Sequence, residues 1–260
     1  MKPIEFYEGV LKPRLERLRN GVTRVRYRLS DVGVPPLRII ELVAGRPDVE
    51  WYISSGAGDA ECVCQTLEES QIALVDQHRI LDFGCGCGRV LYHLQSLARR
   101  SEIFGCDYNP MLVTWARKCI PLAKIELNAL GPPLPFSSDM FDLIYAFSTF
   151  THWTVELQKE WISELTRILK PNGLLVFTTH GDRYRSVLSP QDGEKFDLGR
   201  PVVLEPSLSG TNSCAAFHPF VFVKEELLKN LTLLSFRPQA ALGNPYQDVY
   251  LARKPDNFRG

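Results

Sequence analysis

The chain has 260 residues, and its thirty basic and thirty acidic side chains give a formal net charge of zero. This balance argues against nucleic acid or an anionic membrane surface as a partner. No apolar run reaches the roughly 20 residues that a membrane helix needs, and residues 1–8 lack the apolar core of a signal peptide. We therefore expect a cytoplasmic globular protein with one large α/β domain and no nucleic-acid or membrane partner. These features leave the oligomeric state open.

Seven cysteines are spread along the chain. An odd number, in a chain without a secretion signal, argues against a disulfide framework. The pairs Cys62-x-Cys64 and Cys85-x-Cys87 are too closely spaced for common zinc sites, and no pair of histidines accompanies them at ligand spacing. We expect no metal site.

Residues 1–60 form a predicted N-terminal helical extension. Apolar residues recur at helical spacing over residues 4–19 and predict a helix. Arg24, Arg26 and Arg28 then alternate with apolar residues, as in a short strand or an extended arm with one basic face. That face suits a phosphate, a carboxylate or an acidic carrier protein, or it is a solvated surface without a partner.

The rest of this extension, from Pro35 to residue 60, and a helix at the start of the core domain follow. Pro35 and Pro36 predict the start of a helix that Gly45 ends. Residues 48–58 contain two glycines and are predicted to form a flexible loop. A helix over residues 61–75 is then expected to lead into the first core strand.

A glycine-rich turn follows this strand. The apolar run over residues 79–83 predicts a buried strand, and the apolar spacing after it predicts a helix over residues 89–99. Between them lie glycines at every second position: Gly84, Gly86 and Gly88. Glycines at a strand-to-helix turn let a ligand lie directly against the backbone, and the helix start favours an electron-rich or anionic ligand. A purely structural turn is the alternative.

The next strand, over residues 102–106, precedes Asp107 and a predicted helix over residues 110–119. A carboxylate at this place can accept both ribose hydroxyls of a nucleoside that lies across the strand ends. A nicotinamide or flavin fingerprint would read Gly-x-Gly-x-x-Gly, but Arg89 and Leu91 occupy the positions of the third glycine. A nicotinamide oxidoreductase is therefore disfavoured.

The pattern Asp82-x-Gly84-x-Gly86-x-Gly88, with Asp107 after the second strand, resembles the class I S-adenosylmethionine-dependent methyltransferases. The opening Phe141-Asp142-Leu143-Ile144 of a fourth strand and the run Leu169-Lys170-Pro171-Asn172-Gly173 before a fifth are also similar to that family. The resemblance covers about residues 78–181. It implies S-adenosylmethionine as the cofactor, and it implies that the N-terminal extension, residues 1–60, covers the cofactor and caps the substrate pocket.

The resemblance also implies which residues contact the cofactor. Tyr108 would pack on the adenine, or it is simply a half-exposed residue at a strand end. Asn128 stands where the family usually has an acid that accepts a hydrogen bond from the adenine amino group, and its amide oxygen can still accept that bond. The full set of implied contacts is Asp82, Phe83, Gly84, Cys85, Gly86, Gly88, Asp107, Tyr108, Asn128, Ala129 and Phe147.

The alternation of strands and helices predicts a doubly wound, seven-stranded and mostly parallel sheet over residues 61–255. Strands over residues 231–237 and 247–253, after a helix over residues 224–230, are expected to close it with an antiparallel last strand. Residues 182–216 show no periodicity, and we expect a structureless, lid-like insertion that faces the substrate.

Candidate catalytic residues follow the fourth and fifth strands. His152 and His180 titrate near neutrality and lie at strand ends that face the predicted pocket, and His218 could reach it from the insertion. His152 could instead cap a helix or pack with Trp153. Methyl transfer is an in-line displacement, which needs an aligned nucleophile and sometimes a base that deprotonates it.

We therefore expect a methyltransferase that acts on an oxygen, nitrogen or carbon atom of a small molecule. The alternative is a protein that binds S-adenosylmethionine without transferring its methyl group, as a regulator or scaffold. The sequence does not identify the acceptor, because methyltransferases of very different substrates share this core.

Overall fold

The computed structural model describes Asn20 and residues 33–241, 243–244 and 246–256. The chain divides into two compact units, Met1–Ser54 and Ser55–Gly260. The predicted helix over residues 4–19 and the basic segment around Arg24, Arg26 and Arg28 lie outside the described residues. Among those that are described, no helix is both long and apolar enough to cross a membrane.

In the first unit, helix α1 (Leu37–Ala44) begins after Pro36 and ends at Gly45, as predicted. Gly45 adopts φ 67°, a left-handed conformation that glycine reaches without a steric penalty, and its N–H caps the carbonyl of Glu41. The proline before this helix and the glycine after it therefore determine where it begins and ends.

The predicted loop over residues 48–58 is wrong. Helix α2 runs unbroken over Val49–Glu69, so the helix predicted over residues 61–75 begins earlier and ends earlier. The Asp48 carboxylate accepts a hydrogen bond from the Trp51 N–H at 3.0 Å and caps the helix start. Gly56 and Gly58 lie within the helix, and Gly56 is needed there for close packing rather than for flexibility.

Alanine substitutions at these two glycines are expected to act in opposite directions. A Cβ atom on Gly56 would lie 2.3 Å from the Arg89 carbonyl oxygen, whereas one on Gly58 would lie 3.6 Å from the Gly243 nitrogen, an ordinary contact. We expect Gly56→Ala to destabilise the protein by about 1–3 kcal/mol and Gly58→Ala to stabilise it by up to about 1 kcal/mol. Urea unfolding measures both effects, and equal changes in the free energy of unfolding would contradict the close approach of α2 to the Arg89 backbone.

The sheet confirms the predicted fold class. Its strands are β1 (Arg79–Phe83), β2 (Glu102–Asp107), β3 (Lys124–Leu127), β4 (Phe141–Ala146), β5 (Leu169–Thr179), β8 (Thr232–Ala241) and β9 (Gln247–Arg253). These seven strands have the order β3-β2-β1-β4-β5-β9-β8, and β9 runs antiparallel to both of its neighbours. The other neighbouring pairs are parallel.

Three helices connect the parallel strands: α3 (Leu91–Leu97), α4 (Pro110–Cys119) and α5 (Val155–Ile168). Asn109 caps α4 by accepting from the N–H groups of Met111 and Leu112, and Thr154 caps α5 by accepting from that of Leu157. Two buried apolar clusters fill the core, one of them rich in aromatic side chains. Because β1, β2 and β4 run in the same direction, their carboxyl ends lie at one edge of the sheet, which is where ligands bind in such folds.

Residues 182–216 are not structureless, contrary to the prediction. They contain a 3₁₀ segment (Asp182–Val187), helix α6 (Pro190–Asp197) and strand β6 (Val202–Leu204), which pairs antiparallel with β7 (Ala215–Phe217). A separate small core holds them together: Leu188, Phe196, Val202 and Phe217. These helices and strands are too short to give a helical or an alternating pattern of apolar residues, so they could not be predicted from the sequence. We call residues 182–216 the cap.

After the cap, the helix predicted over residues 224–230 begins earlier. A short helix α7 (Phe220–Phe222) starts after Pro219 and continues as a π-helical turn over Val223–Leu227. Proline suits the start of a helix because its fixed φ matches the first turn and its missing N–H has no partner there.

Candidate cofactor and acceptor site

The glycine turn after β1 requires its glycines. Gly84, Gly86 and Gly88 all have positive φ, at 74°, 56° and 88°, which L-residues with a side chain rarely adopt. A Cβ atom on Gly84 would also lie 2.7 Å from the Thr149 hydroxyl oxygen. The N–H groups of Gly84 and Cys85 both donate to the Cys106 carbonyl at 2.9 Å, which fixes the turn beside β2.

Asp107, at the end of β2, is hydrogen-bonded to this turn. Its Oδ2 accepts from the Gly86 N–H at 2.9 Å, and its Oδ1 accepts from the Asn109 N–H at 2.8 Å. Burial raises the pKa of Asp107, although these N–H groups oppose the rise. A carboxylate oxygen has two lone pairs, so each one keeps capacity for a further donor.

Asp82 lies on β1 just before the turn and is buried, with 3% of its surface exposed. Burial raises its pKa to about 7, and the Tyr145 hydroxyl and the Arg89 guanidinium oppose that rise. Asp82 Oδ2 nevertheless has no partner with hydrogen-bond geometry among the described residues. A buried carboxylate oxygen without a partner is costly, and a cationic ligand group would relieve that cost.

Asn128, after β3, presents a second unpartnered acceptor. Its N–H donates to the Asp107 carbonyl at 3.1 Å, and its amide nitrogen donates to the Ala129 carbonyl at 2.6 Å. Its Oδ1 is buried and has no partner in the described part of the chain. The amide oxygen is thus held near Asp107 and is available to an N–H group of a ligand.

The cap contacts this region through Tyr108. The Tyr108 hydroxyl donates to the Gly210 carbonyl, and the Gly210 N–H donates to the His152 carbonyl at 2.8 Å. Gly210 has φ 92°, and a Cβ atom there would lie 2.5 Å from the Leu130 side chain. One glycine of the cap therefore joins the predicted adenine-binding tyrosine to a predicted catalytic histidine.

Three of the predicted contact residues have side chains that belong to the core. The Phe83 side chain belongs to the core cluster that is rich in aromatic residues, and its ring centroid lies 4.7 Å from that of Trp161. Phe147 is 7% exposed and belongs, with Tyr145, to the other core cluster. The Cys85 thiol is also buried, and burial raises its pKa well above the usual value. These side chains shape the turn, and Phe83 can offer a ligand only its backbone.

His152 and His180 both hydrogen-bond to the end of the cap. His152 Nδ1 lies 2.8 Å from the Cys214 carbonyl oxygen, and His180 Nδ1 lies 3.2 Å from that of Ala216. Burial lowers the pKa of both histidines, that of His180 to about 4, and the proximity of His152 adds to this shift. The structure therefore brings the two predicted catalytic residues together in their neutral forms.

His218 is wholly buried, and its Nε2 pairs with the Gln158 amide oxygen at 3.0 Å. Burial lowers its pKa to about 3. The backbone N–H of His218 donates to the His180 carbonyl at 2.8 Å, so the two histidines are adjacent in the structure.

Sequence reasoning missed several polar residues near the site. Arg89, the residue after the glycine turn, forms a buried ion pair with Asp59 of α2 at 2.7 Å. Ser148, Thr178 and Gln247 form a buried hydrogen-bond network at the ends of β4, β5 and β9. Arg89 directly follows the glycine turn and Ser148 follows the fourth strand, so their positions offered a signal, whereas Asp59 and Gln247 are distant in sequence from the predicted site.

The seven cysteines all lie within the described residues, and none of them forms a disulfide bond. Within the described residues, no group of three or more His, Cys, Asp and Glu side chains could hold a metal ion.

Comparisons with known proteins agree with this geometry. Residues 81–177 match a family model described as "Methyltransferase domain". A S-adenosylmethionine-dependent methyltransferase of Methanosarcina mazei shares the fold, with a TM-score of 0.51, 21% identity, and coverage of 68% of this chain and 92% of that one. Residues 81–177 therefore carry a methyltransferase domain, and the fold is similar to that of the class I S-adenosylmethionine-dependent methyltransferases. The resemblance, the fold and the expected cofactor are thereby confirmed.

Curated methyltransferases are similar over part of their length. The malonyl-[acyl-carrier protein] O-methyltransferase of Legionella pneumophila is 32% identical over 44% of this chain and 40% of its own length. The demethylmenaquinone methyltransferase of Thermus thermophilus is 31% identical over 38% of this chain and 45% of its own. The chain therefore spans less than half of these relatives, and the similarity concerns the shared core of the methyltransferase fold.

Proposed function

We propose that this methyltransferase transfers the methyl group of S-adenosylmethionine to an oxygen, nitrogen or carbon atom of a small molecule in the cytoplasm. The observation that supports it most directly is the arrangement of Asp107 and Asn128 beside the glycine turn. A buried carboxylate bonded to Gly86 and an unpartnered amide oxygen lie at neighbouring strand ends. This pair matches the ribose hydroxyls and the adenine amino group of a nucleoside.

The residues of the turn fit the remainder of the cofactor. The Tyr108 ring at the end of β2 would pack on the adenine, and the Asp82 carboxylate would receive the ammonium group of the methionine part. When bound, S-adenosylmethionine supplies a methyl group that is electrophilic because it is attached to a sulfonium. The protein has to bind the cofactor, exclude water and align the acceptor with the methyl–sulfur bond.

His152 and His180 are the proposed acceptor-side residues. Their lowered pKa values keep both imidazoles neutral at pH 7, so that each retains a lone pair. A neutral imidazole assists only an acceptor that has a proton to lose, such as a hydroxyl, a phenol or an amine. The cap, which binds both histidines, would then form the wall that recognises the acceptor.

Calorimetric titration with S-adenosylhomocysteine tests the cofactor site. Asp107→Ala is expected to weaken binding at least about tenfold, because the bonds to a charged acceptor are each worth about 1.5–3 kcal/mol. Glu126→Ala is a matched control on β3, where Glu126 pairs with Arg117 at the surface. Absence of binding to the wild type, or equal binding by both variants, would contradict the proposed site.

Release of S-adenosylhomocysteine in the presence of candidate acceptors tests methyl transfer itself. The names of the relatives suggest a malonyl thioester and a quinol, and simple phenols and amines extend the panel. Turnover with one of these acceptors is expected. Tight cofactor binding without turnover on any of them would favour the alternative function, a binding protein that does not transfer the methyl group.

A further inference from the structure

A closed hydrogen-bond network joins three strand ends beside His180. The Ser148 N–H donates to Thr178 Oγ1 at 2.8 Å, and the Thr178 hydroxyl pairs with Gln247 Oε1 at 2.6 Å. The Gln247 amide nitrogen lies 3.0 Å from Ser148 Oγ and 3.3 Å from His180 Nε2. Thr178 and Gln247 are both buried, so water does not compete for these bonds.

One arrangement of protons satisfies this network when His180 Nε2 carries a lone pair. Thr178 Oγ1 accepts from the Ser148 N–H and donates its own proton to Gln247 Oε1, so the amide of Gln247 turns its NH₂ group toward Ser148 and His180. The two hydrogens of that NH₂ group are then both used. Gln247 can therefore act only as a donor to His180.

The other ring nitrogen of His180 leads to the same conclusion. A carbonyl oxygen can only accept, so the Ala216 carbonyl requires a proton on His180 Nδ1. His180 Nε2 then carries the lone pair that Gln247 needs as its acceptor. The rings of Tyr184 and Phe217, at 4.2 and 5.5 Å from that of His180, hold the imidazole in this plane.

We propose that Gln247 is a positioning residue that holds His180 in its neutral Nδ1–H form and ties it to the backbone at Ser148. This assignment rests on the proposed function, in which both histidines face the acceptor. The assignment gives His180 and His152 different roles. His180 Nε2 is occupied by Gln247, whereas no hydrogen bond to His152 Nε2 is present among the described residues, so His152 is the residue that accepts a proton.

The titratable groups around His180 are consistent with this form. His152 and His218 are its titratable neighbours: the proximity of His152 lowers the pKa of His180, and that of His180 lowers the pKa of His218. Burial has the same effect. A donor at Nε2 therefore adds a specific contact to an environment that already favours the neutral ring.

Nitrogen NMR of the full chain, labelled with ¹⁵N-histidine, tests the proposal without cofactor or acceptor. The His180 signal is identified by its loss in His180→Asn. We expect a proton on Nδ1 and none on Nε2 in the wild type at pH 7. In Gln247→Glu, a carboxylate replaces the donor, and we expect the proton affinity of His180 Nε2 to rise about tenfold or more. A wild-type Nε2–H form, or no change in Gln247→Glu, would overturn the proposal.

Variants of Thr178 separate positioning from a merely structural role. Thr178→Val removes the hydroxyl that orients the amide, and we expect the His180 signals to show a mixture of the two neutral forms. Thr178→Ser keeps the hydroxyl and is expected to restore the wild-type spectrum. Binding of S-adenosylhomocysteine to each variant shows that the fold and the cofactor site are retained. Failure of that binding in the wild type would contradict the proposed function but leave the NMR result valid.

Discussion

Asp59→Asn is expected to destabilise the protein by about 3–5 kcal/mol, because it leaves the buried guanidinium of Arg89 without its charge partner. Both side chains are buried, with 0% of Asp59 and 6% of Arg89 exposed. Arg89 also donates to the Ser55 hydroxyl at 3.1 Å, and Asp59 accepts from the Asn244 amide at 2.8 Å. The ion pair thus links α2, the glycine turn and the segment before β9.

The double variant Asp59→Asn with Arg89→Met is the control for this prediction. Burial raises the pKa of Asp59 in spite of the neighbouring guanidinium, so the carboxylate itself is costly to bury, and the expected loss in Asp59→Asn comes from the Arg89 guanidinium that stays buried without a counter-charge. The new asparagine side chain would keep an acceptor for Asn244, and methionine would fill the space of the arginine stem. We expect the double variant to be more stable than Asp59→Asn alone in guanidinium unfolding, and strictly additive losses would contradict a coupled pair.

The sheet was predictable because local patterns specify it. Each core strand is a short apolar run, and turns or capped helices such as α4 separate the runs. The glycine turn was predictable for the same reason, since the positive φ of Gly84, Gly86 and Gly88 is a local requirement. Such features depend on residues that are close in sequence.

The wrong predictions arose where a residue serves a distant partner. Gly56 suggested a loop, but it lies in a helix because the backbone of Arg89 passes against it. The cap is ordered by Leu188, Phe196, Val202 and Phe217, which are spread over thirty positions and form no period. Gln247 follows the predicted site by more than sixty residues and reaches His180 only because β9 pairs with β5. Nothing local marks these contacts.

The cap gives the site a second layer of organisation. It binds Tyr108 through Gly210, His152 through Cys214 and His180 through Ala216. The proposed adenine-binding residue and both proposed acceptor-side residues therefore have hydrogen bonds to one continuous segment. Since the cap belongs to the part of the chain beyond the match to the family model, we expect acceptor specificity to depend on it.

Asp82→Asn is expected to stabilise the protein at alkaline pH and to weaken cofactor binding. Burial raises the pKa of Asp82 from 3.8 to about 7 in the folded state. Below about pH 3 the carboxyl is largely protonated in both the folded and the unfolded chain, and its burial then costs little. As the pH rises to about 7, the unfolded chain loses this proton first, so the free energy of unfolding falls; above pH 7 the whole cost is present.

The linkage relation converts this pKa difference into about 4 kcal/mol at pH 8. Asparagine resembles the protonated acid, so the gain of Asp82→Asn over the wild type should approach that value at pH 8 and vanish below about pH 3. Urea unfolding over this range measures it, with Asp76→Asn, at an exposed aspartate, as the matched control substitution. A difference in the free energy of unfolding that does not change with pH would contradict a buried, ionised Asp82. Weaker binding of S-adenosylhomocysteine by the stabilised variant would show that the carboxylate is retained for the cofactor and not for the fold.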